Sequence, residues 1–171
     1  MSSTRTMGVN VTDGHTAYSA TDPTSGSKLP LGFEYVEHDW STDDAGPRTW
    51  IYIENAESSA SLIAGTVVGR ASASSEVKGI LCPVSETAYR VIGVAQHTIA
   101  AGSFGFILKK GVGSVLIDTG VSANAGLQVG NGTAGRADAA GGALTHPTFG
   151  YSLAAISTGE VGTCWINSQG A

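Results

Sequence analysis

The second half of the chain, from Val91 to Asn167, is a series of short apolar runs separated by turns rich in Gly, Ala, Ser, Thr and Asn. The runs are VIGVA, FGFIL, VGSVLID, FGYSLAAI and VGTCWIN. Active sites usually need converging carboxylates, histidines or thiols, and this half offers few of them. Its charged residues are only Lys109, Lys110, Asp118, Arg136, Asp138 and Glu160. We therefore expect this half to form a scaffold rather than a reaction site.

The apolar runs have the length and spacing of β-strands. Strands are predicted at about 62–69, 76–81, 88–96, 104–109, 112–118, 126–130, 149–157 and 161–167. Two more, GFEYVEH and TWIYIEN, lie within residues 32–57. Because the turns are rich in glycine and no long helical period occurs, the chain is predicted to be all-β, a compact β-barrel or β-sandwich.

Alternation within the strands predicts which side chains share a face. The groups are Trp50 with Tyr52, Phe104 with Phe106 and Leu108, and Val161 with Thr163 and Trp165. Two connections are also predicted. FILKKGVGSVLI is typical of a hairpin with Lys109, Lys110 and Gly111 at its tip, and GNGTAGRADAAGG (130–142) is typical of a long loop.

The first 31 residues form a separate segment by composition. They are rich in Thr, Ser, Gly, Asp and Pro, with few large apolar side chains. Such a segment cannot bury enough surface to offset its own ordering entropy. Residues 1–31 are predicted to be an N-terminal arm, either disordered or extended along another surface, and residues 32–171 the barrel or sandwich domain.

Residues 32–57 combine aromatic and acidic side chains. Half of the 14 acidic residues of the chain fall in this window, among them Glu34, Glu37, Asp39, Asp43 and Asp44. Strand aromatics can fill a core or anchor a protein–protein interface, and the sequence leaves both open. The candidate interface residues are Phe33, Tyr35, Trp40, Trp50 and Tyr52.

No metal, cofactor or catalytic constellation is expected. The Asp39–Asp44 stretch does not keep the ligand spacing of a calcium loop. The four histidines lie in separate segments, without metal-ligand spacing. Cys82 and Cys164 lie in unrelated contexts and are predicted to be buried free thiols, with a disulfide as the alternative.

Composition limits the partners. Only 13% of the residues are charged, which suggests that partners cover much of the surface. The net charge of −5 and the lack of a basic stripe argue against nucleic acid. No apolar run is long enough for a transmembrane helix. The N-terminus lacks the apolar core of a signal peptide, so we expect synthesis in the cytoplasm.

Three segments of the second half resemble the β-rich capsid decoration, or cement, proteins of tailed bacteriophages. They are YRVIGVAQHTIAAGSFGFILKKGVGSVLI, AGLQVGNGTAGRADAAGG and FGYSLAAISTGEVGTCWIN. The matching elements fall on 93–95, 99–105, 125–142 and 149–166. The resemblance implies a barrel or sandwich that assembles, often as trimers, on the outside of a phage head.

In that family the partner is the major capsid protein, and the decoration protein clamps neighbouring capsomers without catalysing a reaction. An N-terminal arm that reaches onto the shell is common. The resemblance thus predicts a virion structural protein on the capsid exterior. We place its contacts with the shell or with other copies in residues 1–57.

Two other functions remain open. A tail, baseplate or fibre module that binds host glycans could use Trp40, Trp50 and Tyr52 as a stacking platform beside Asp43 and Asp44. An enzyme, for example a glycan hydrolase, could use a pair of carboxylates from residues 34–57.

Overall fold

The structure, a computed structural model, describes residues 29–38, 46–87, 90–141 and 148–168. The described residues form ten strands, which confirms the predicted all-β class. They are β1 (Glu34–His38), β2 (Pro47–Asn55), β3 (Val67–Ser72), β4 (Ser75–Leu81), β5 (Val91–Ala95), β6 (Phe104–Leu116), β7 (Gly126–Val129), β8 (Ala137–Ala139), β9 (Gly150–Ser152) and β10 (Val161–Asn167). Of the predicted arm, residues 1–28 lie outside the described part, so the arm stays a prediction.

Five strands close into a barrel in the order β2-β4-β3-β5-β6, because β6 pairs back onto β2. Its interior is lined by aliphatic side chains that are at most 5% exposed: Ile51, Ile53, Leu62, Val68, Ile92, Ala95, Ile99 and Ile107. Gly79 leaves room for them, since a Cβ there would lie 2.5 Å from Val68 Cγ1 and 2.7 Å from Ile53 Cδ1. Of the two predicted architectures, a β-barrel or a β-sandwich, the structure therefore confirms the barrel.

The predicted hairpin at Lys109 is wrong, because β6 is one strand of 13 residues that runs through this point. Its first part pairs with β2 and β5, and its second part, from Lys110 onward, pairs with β10. A bulge at Lys109 and a φ of +120° at Gly111 bend the strand where it leaves the barrel. Both parts of β6 pair with neighbouring strands, and the chain therefore continues in one direction through Lys109 instead of forming a hairpin.

Beyond the barrel, the ten-stranded sheet continues from the second part of β6 in the order β6-β10-β9-β7-β8, and we call this part of it the second sheet. A parallel bridge between Ile117 and Ala137 connects its far strand to the residue that follows β6. The predicted loop 130–142 thus contains a strand, β8. Carboxylates hold the backbone of this segment: Asp118 accepts hydrogen bonds from the amides of Gly132 and Thr133, and Asp138 accepts one from the amide of Asn131. Asp138 also accepts a hydrogen bond from the amide of Thr119, which ties the segment to the residues after β6.

Other strand boundaries differ from those predicted. The strand predicted at 62–69 begins only at Val67, because Gly65 adopts a φ of +87° and Leu62 forms an isolated bridge to Ile99. The strand predicted at 149–157 ends at Ser152. Cys82 and Cys164 are free and buried, as predicted.

The predicted alternation of faces is confirmed. Ile51 and Ile53 point into the barrel, whereas Trp50 and Tyr52 belong to a second buried cluster on its outer side. That cluster continues into the second sheet through Val115, Leu127, Phe149, Cys164 and Ile166. Strand β2 and the barrel part of β6, up to Leu108, are therefore covered on both faces.

Candidate interaction surface

The structure buries two of the five predicted interface aromatics. Trp50 and Tyr52 are 2% and 5% exposed, and Tyr52 packs against Phe106 with ring centroids 5.0 Å apart. The indole Nε1 of Trp50 donates a hydrogen bond to Glu37 Oε2 at 3.0 Å. These two side chains expose almost no surface to a partner. They fill a core, which is one of the two roles that the sequence left open for the aromatics. They also cannot form a solvent-facing platform for sugar rings.

Phe33 and Tyr35 are half-buried and pack against the same core cluster. The ring of Phe33 meets Phe106 edge-on, with centroids 6.4 Å apart. Trp40 lies outside the described residues, as do Asp39, Asp43 and Asp44. A contact of Phe33, Tyr35 or Trp40 with a partner stays a prediction.

The described carboxylates of residues 34–57 have partners within the chain. Glu34 pairs with Lys109 Nζ at 2.6 Å, and Glu54 pairs with Lys78 Nζ at 3.1 Å. Glu37 holds Trp50, and Glu57 accepts a hydrogen bond from the Leu81 amide. Each of these contacts ties one strand or its flank to another, which is a structural use for an acidic side chain.

The clearest exposed apolar surface lies elsewhere, on the second sheet. We call it the outer face, and it consists of the outward side chains of β6, β9 and β10 and of the residue just after β9: Val112, Ser114, Leu116, Tyr151, Leu153, Val161, Thr163 and Trp165. The strand register places Trp165 between Tyr151 and Val112, Thr163 beside Ser114, and Val161 beside Leu116. The alternate residues of β10, Cys164 and Ile166, face inward and are buried.

Large apolar side chains on the outer face are open to solvent. Val161 is 48% exposed, and Tyr151 and Leu153 are each 42% exposed. The rings of Tyr151 and Trp165 stack with centroids 6.5 Å apart and an angle of 26° between their planes. Exposed contiguous apolar surface of this kind commonly marks a site of interaction. Sheet geometry gives it a length of about 14 Å along β10 and a width of about 10 Å across three strands.

None of the eight outer-face residues carries a charge. Charged residues lie at its margins. The exposed Glu160 precedes Val161, the exposed Lys110 lies two residues before Val112 on β6, and Arg48 donates from Nε to the carbonyl of Val112 at 3.0 Å. The sequence predicted that Val161, Thr163 and Trp165 share a face, but it could not show that this face is the open one. The missing information is which face of β10 the other strands cover.

A cleft of about 320 Å³ opens beside the outer face, where β6 passes from the barrel to the second sheet. Its lining combines outer-face residues with barrel residues: Arg48, Trp50, Gln96, Leu108, Val112, Gly113, Ser114 and Thr163. The Gln96 side chain is fully engaged, since it accepts from the Ser114 amide and donates to the Ser114 carbonyl. The cleft therefore offers an apolar floor and one guanidinium group, enough to receive a side chain of a partner.

Among the residues that the structure describes, burial perturbs three titratable side chains, and none of the three lies on the outer face. It raises the pKa of Cys82 to about 12 and that of Cys164 to about 11, and it lowers the pKa of His97. At neutral pH both thiols are protonated and weak nucleophiles. Among the described residues, no group of three or more His, Cys, Asp or Glu side chains could hold a metal ion. The described segments also contain no helix long and apolar enough to cross a membrane.

Comparison with known proteins gives a likeness of fold. No protein-family model matches the chain, and no curated protein matches it. Among solved structures, it is similar to the N base of head fiber gp8.5 of bacteriophage phi29, with a TM-score of 0.50 and 13% sequence identity. The match covers 72% of this chain and 98% of that one. At this identity the likeness shows a shared fold.

Proposed function

We propose that the chain is a structural protein of a phage virion that binds the outer surface of the head as a homo-oligomer, a trimer, and clamps neighbouring capsomers. The observation that carries the proposal is the fold shared with the N base of a phage head fiber protein. The resemblance to capsid decoration proteins points to the same kind of particle. Because it rests on sequence segments, it is independent of the shared fold.

The surface of the chain supports an assembly role. The outer face exposes apolar side chains on a regular sheet, and its charge-free character suits a contact made with another protein. Many modest contacts repeated over a lattice give strong overall attachment without any single tight interface. The proposed role includes no reaction, and the described carboxylates of residues 34–57 have structural partners.

A fibre role is the second candidate. It is favoured by the similar structure, which is the base of a head fiber rather than a clamp. The two roles differ in what binding does to the head: a clamp raises the resistance of the shell to internal pressure, whereas a fibre base only attaches to it.

The test is a binding experiment with heads of the phage that encodes the chain, prepared without this protein. Purified protein is added, and binding is followed by co-sedimentation while DNA release is followed on heating. We expect saturable binding and a higher temperature of DNA release. Binding without any change in DNA release would favour the fibre base, and the absence of binding would overturn both versions.

The arm has its own test in the same assay. Deletion of residues 1–28, which keeps Leu29 and Leu31 packed against the core cluster, should leave a folded barrel, monitored by circular dichroism. It should weaken binding to heads, because an extended segment adds contacts along the shell. Wild-type affinity of the truncated protein would refute the role of the arm.

A further inference from the structure

We propose that the outer face is the contact between copies of this chain, with a second copy as its occupant. This deepens the self-association part of the proposed function, but it does not depend on binding to a phage head. The starting point is that Tyr151, Leu153 and Val161 are each more than 40% exposed on a sheet whose opposite side is buried.

Charge favours a second copy as the occupant. Each chain carries a net charge of −5, so two copies repel one another over most of their surfaces. The outer face adds nothing to that repulsion, because its eight residues carry no charge. A nucleic acid or an anionic membrane would instead need clustered cations. Among the described residues the cations beside the outer face are Lys110, two residues before Val112, and Arg48, whose Nε is bonded to the Val112 carbonyl.

Composition of the surface agrees with a protein partner. Interface centres are poor in charge and rich in aromatic side chains, and the stacked pair of Tyr151 and Trp165 supplies both properties. Thr163 and Ser114 add hydroxyl groups in the middle of the face. The neighbouring cleft of about 320 Å³ can receive a side chain from the partner copy.

Size indicates how the copies assemble. With its side chains, the outer face covers on the order of a few hundred Å², whereas a stable interface buries roughly 800 Å² on each partner. The outer face is therefore the centre of a larger contact. A closed ring repeats that contact once per copy, so it is held by several contacts at once, which favours a ring such as the trimer over an isolated pair.

The test compares the same substitution at two matched valines by sedimentation equilibrium. Val161 on the outer face and Val36 on β1 are both strand residues with similar exposure, 48% and 50%. Val161→Lys places a charge in the contact, where it would be buried without an opposite charge beside it. The variant should therefore weaken self-association about 100-fold or more. Val36→Lys should leave self-association unchanged.

Circular dichroism and thermal melting check that both lysine variants fold. Trp165→Ala provides a second change on the outer face without a new charge, and it should weaken self-association at least about 10-fold. A wild-type protein that stays monomeric up to about 100 µM would overturn the inference. The inference would also be overturned if Val36→Lys dissociated the copies while Val161→Lys had no effect. The contact would then lie in the aromatic and acidic segment, residues 32–57.

The head-binding assay separates this inference from the proposed function. If the wild-type chain self-associates through Val161 but does not bind heads, the inference stands and the head role fails. If the wild-type chain binds heads but does not self-associate, the inference fails and the head role stands.

Discussion

The barrel and the second sheet are built from similar strands but differ in how many of their faces are covered. In the barrel, β2 carries isoleucines on its inner side and Trp50 and Tyr52 on its outer side, and both sides are buried. In the second sheet, β10 buries Cys164 and Ile166 but leaves Val161 half-exposed and Trp165 only partly covered. Aromatic side chains in the barrel thus stabilise the fold, whereas those of the outer face are available to a partner. The difference lies in coverage, not in composition.

The largest expected effect comes from the same substitution in the two regions. Trp50→Ala should lower the free energy of unfolding by about 3–5 kcal/mol, because it leaves a cavity in the core cluster and removes the partner of Glu37. Trp165→Ala should lower it by only about 1 kcal/mol, mainly through the lost stacking on Tyr151.

Urea unfolding of the two tryptophan variants in the Val161→Lys background would measure this difference without a contribution from self-association. Equal losses would show that Trp165 is part of the core and would break the distinction between the two regions.

A smaller effect is expected where the two regions join. Gly111 has a φ of +120°, and a Cβ there would lie 3.0 Å from the Pro47 carbonyl oxygen. Gly111→Ala should therefore cost about 1–3 kcal/mol of unfolding free energy. Gly141→Ala serves as the control, since nothing lies within 4 Å of the added methyl group. If the Gly111 variant is as stable as this control, the bend in β6 does not depend on glycine.

An effect confined to alkaline pH is expected at the two buried cysteines, which should behave alike although one belongs to each region. Burial raises their pKa from 9.0 to about 12 for Cys82 and about 11 for Cys164. The folded state holds these protons more tightly than the unfolded state, so their contribution to stability is complete below pH 9 and is lost as pH rises through 11 to 12.

Chemical unfolding between pH 8 and 12 would test this dependence in the wild-type chain and in Cys82→Ala. The variant should show a shallower decline of stability with pH. An identical decline in both proteins would mean that Cys82 does not contribute to it.

The parts of the fold that the sequence predicted depend on local pattern. Strand alternation in TWIYIEN and VGTCWIN is a property of consecutive residues, so the faces of β2 and β10 could be assigned. The course of β6 could not be predicted, because a Lys-Lys-Gly sequence is equally compatible with a hairpin tip and with a bulged bend. The decision depends on β10, whose pairing partner is more than 40 residues distant along the chain.

The position of the outer face could not be predicted from the sequence for the same reason. Aromatic residues are dense in the window 32–57, and the sequence therefore placed the interface there. The core cluster on the outer side of the barrel buries Trp50 and Tyr52, while nothing in the described residues covers Tyr151 and Val161 to the same degree. Coverage is a property of the whole strand order, which local patterns do not contain.

Electron cryomicroscopy of heads of the encoding phage, with this chain traced into the density, tests the central claim most directly. The account predicts copies on the outside of the shell, with Tyr151 and Trp165 enclosed at the contact between neighbouring copies. Heads without the chain, or copies whose outer faces are open to solvent while residues 32–57 form the contacts, would contradict it.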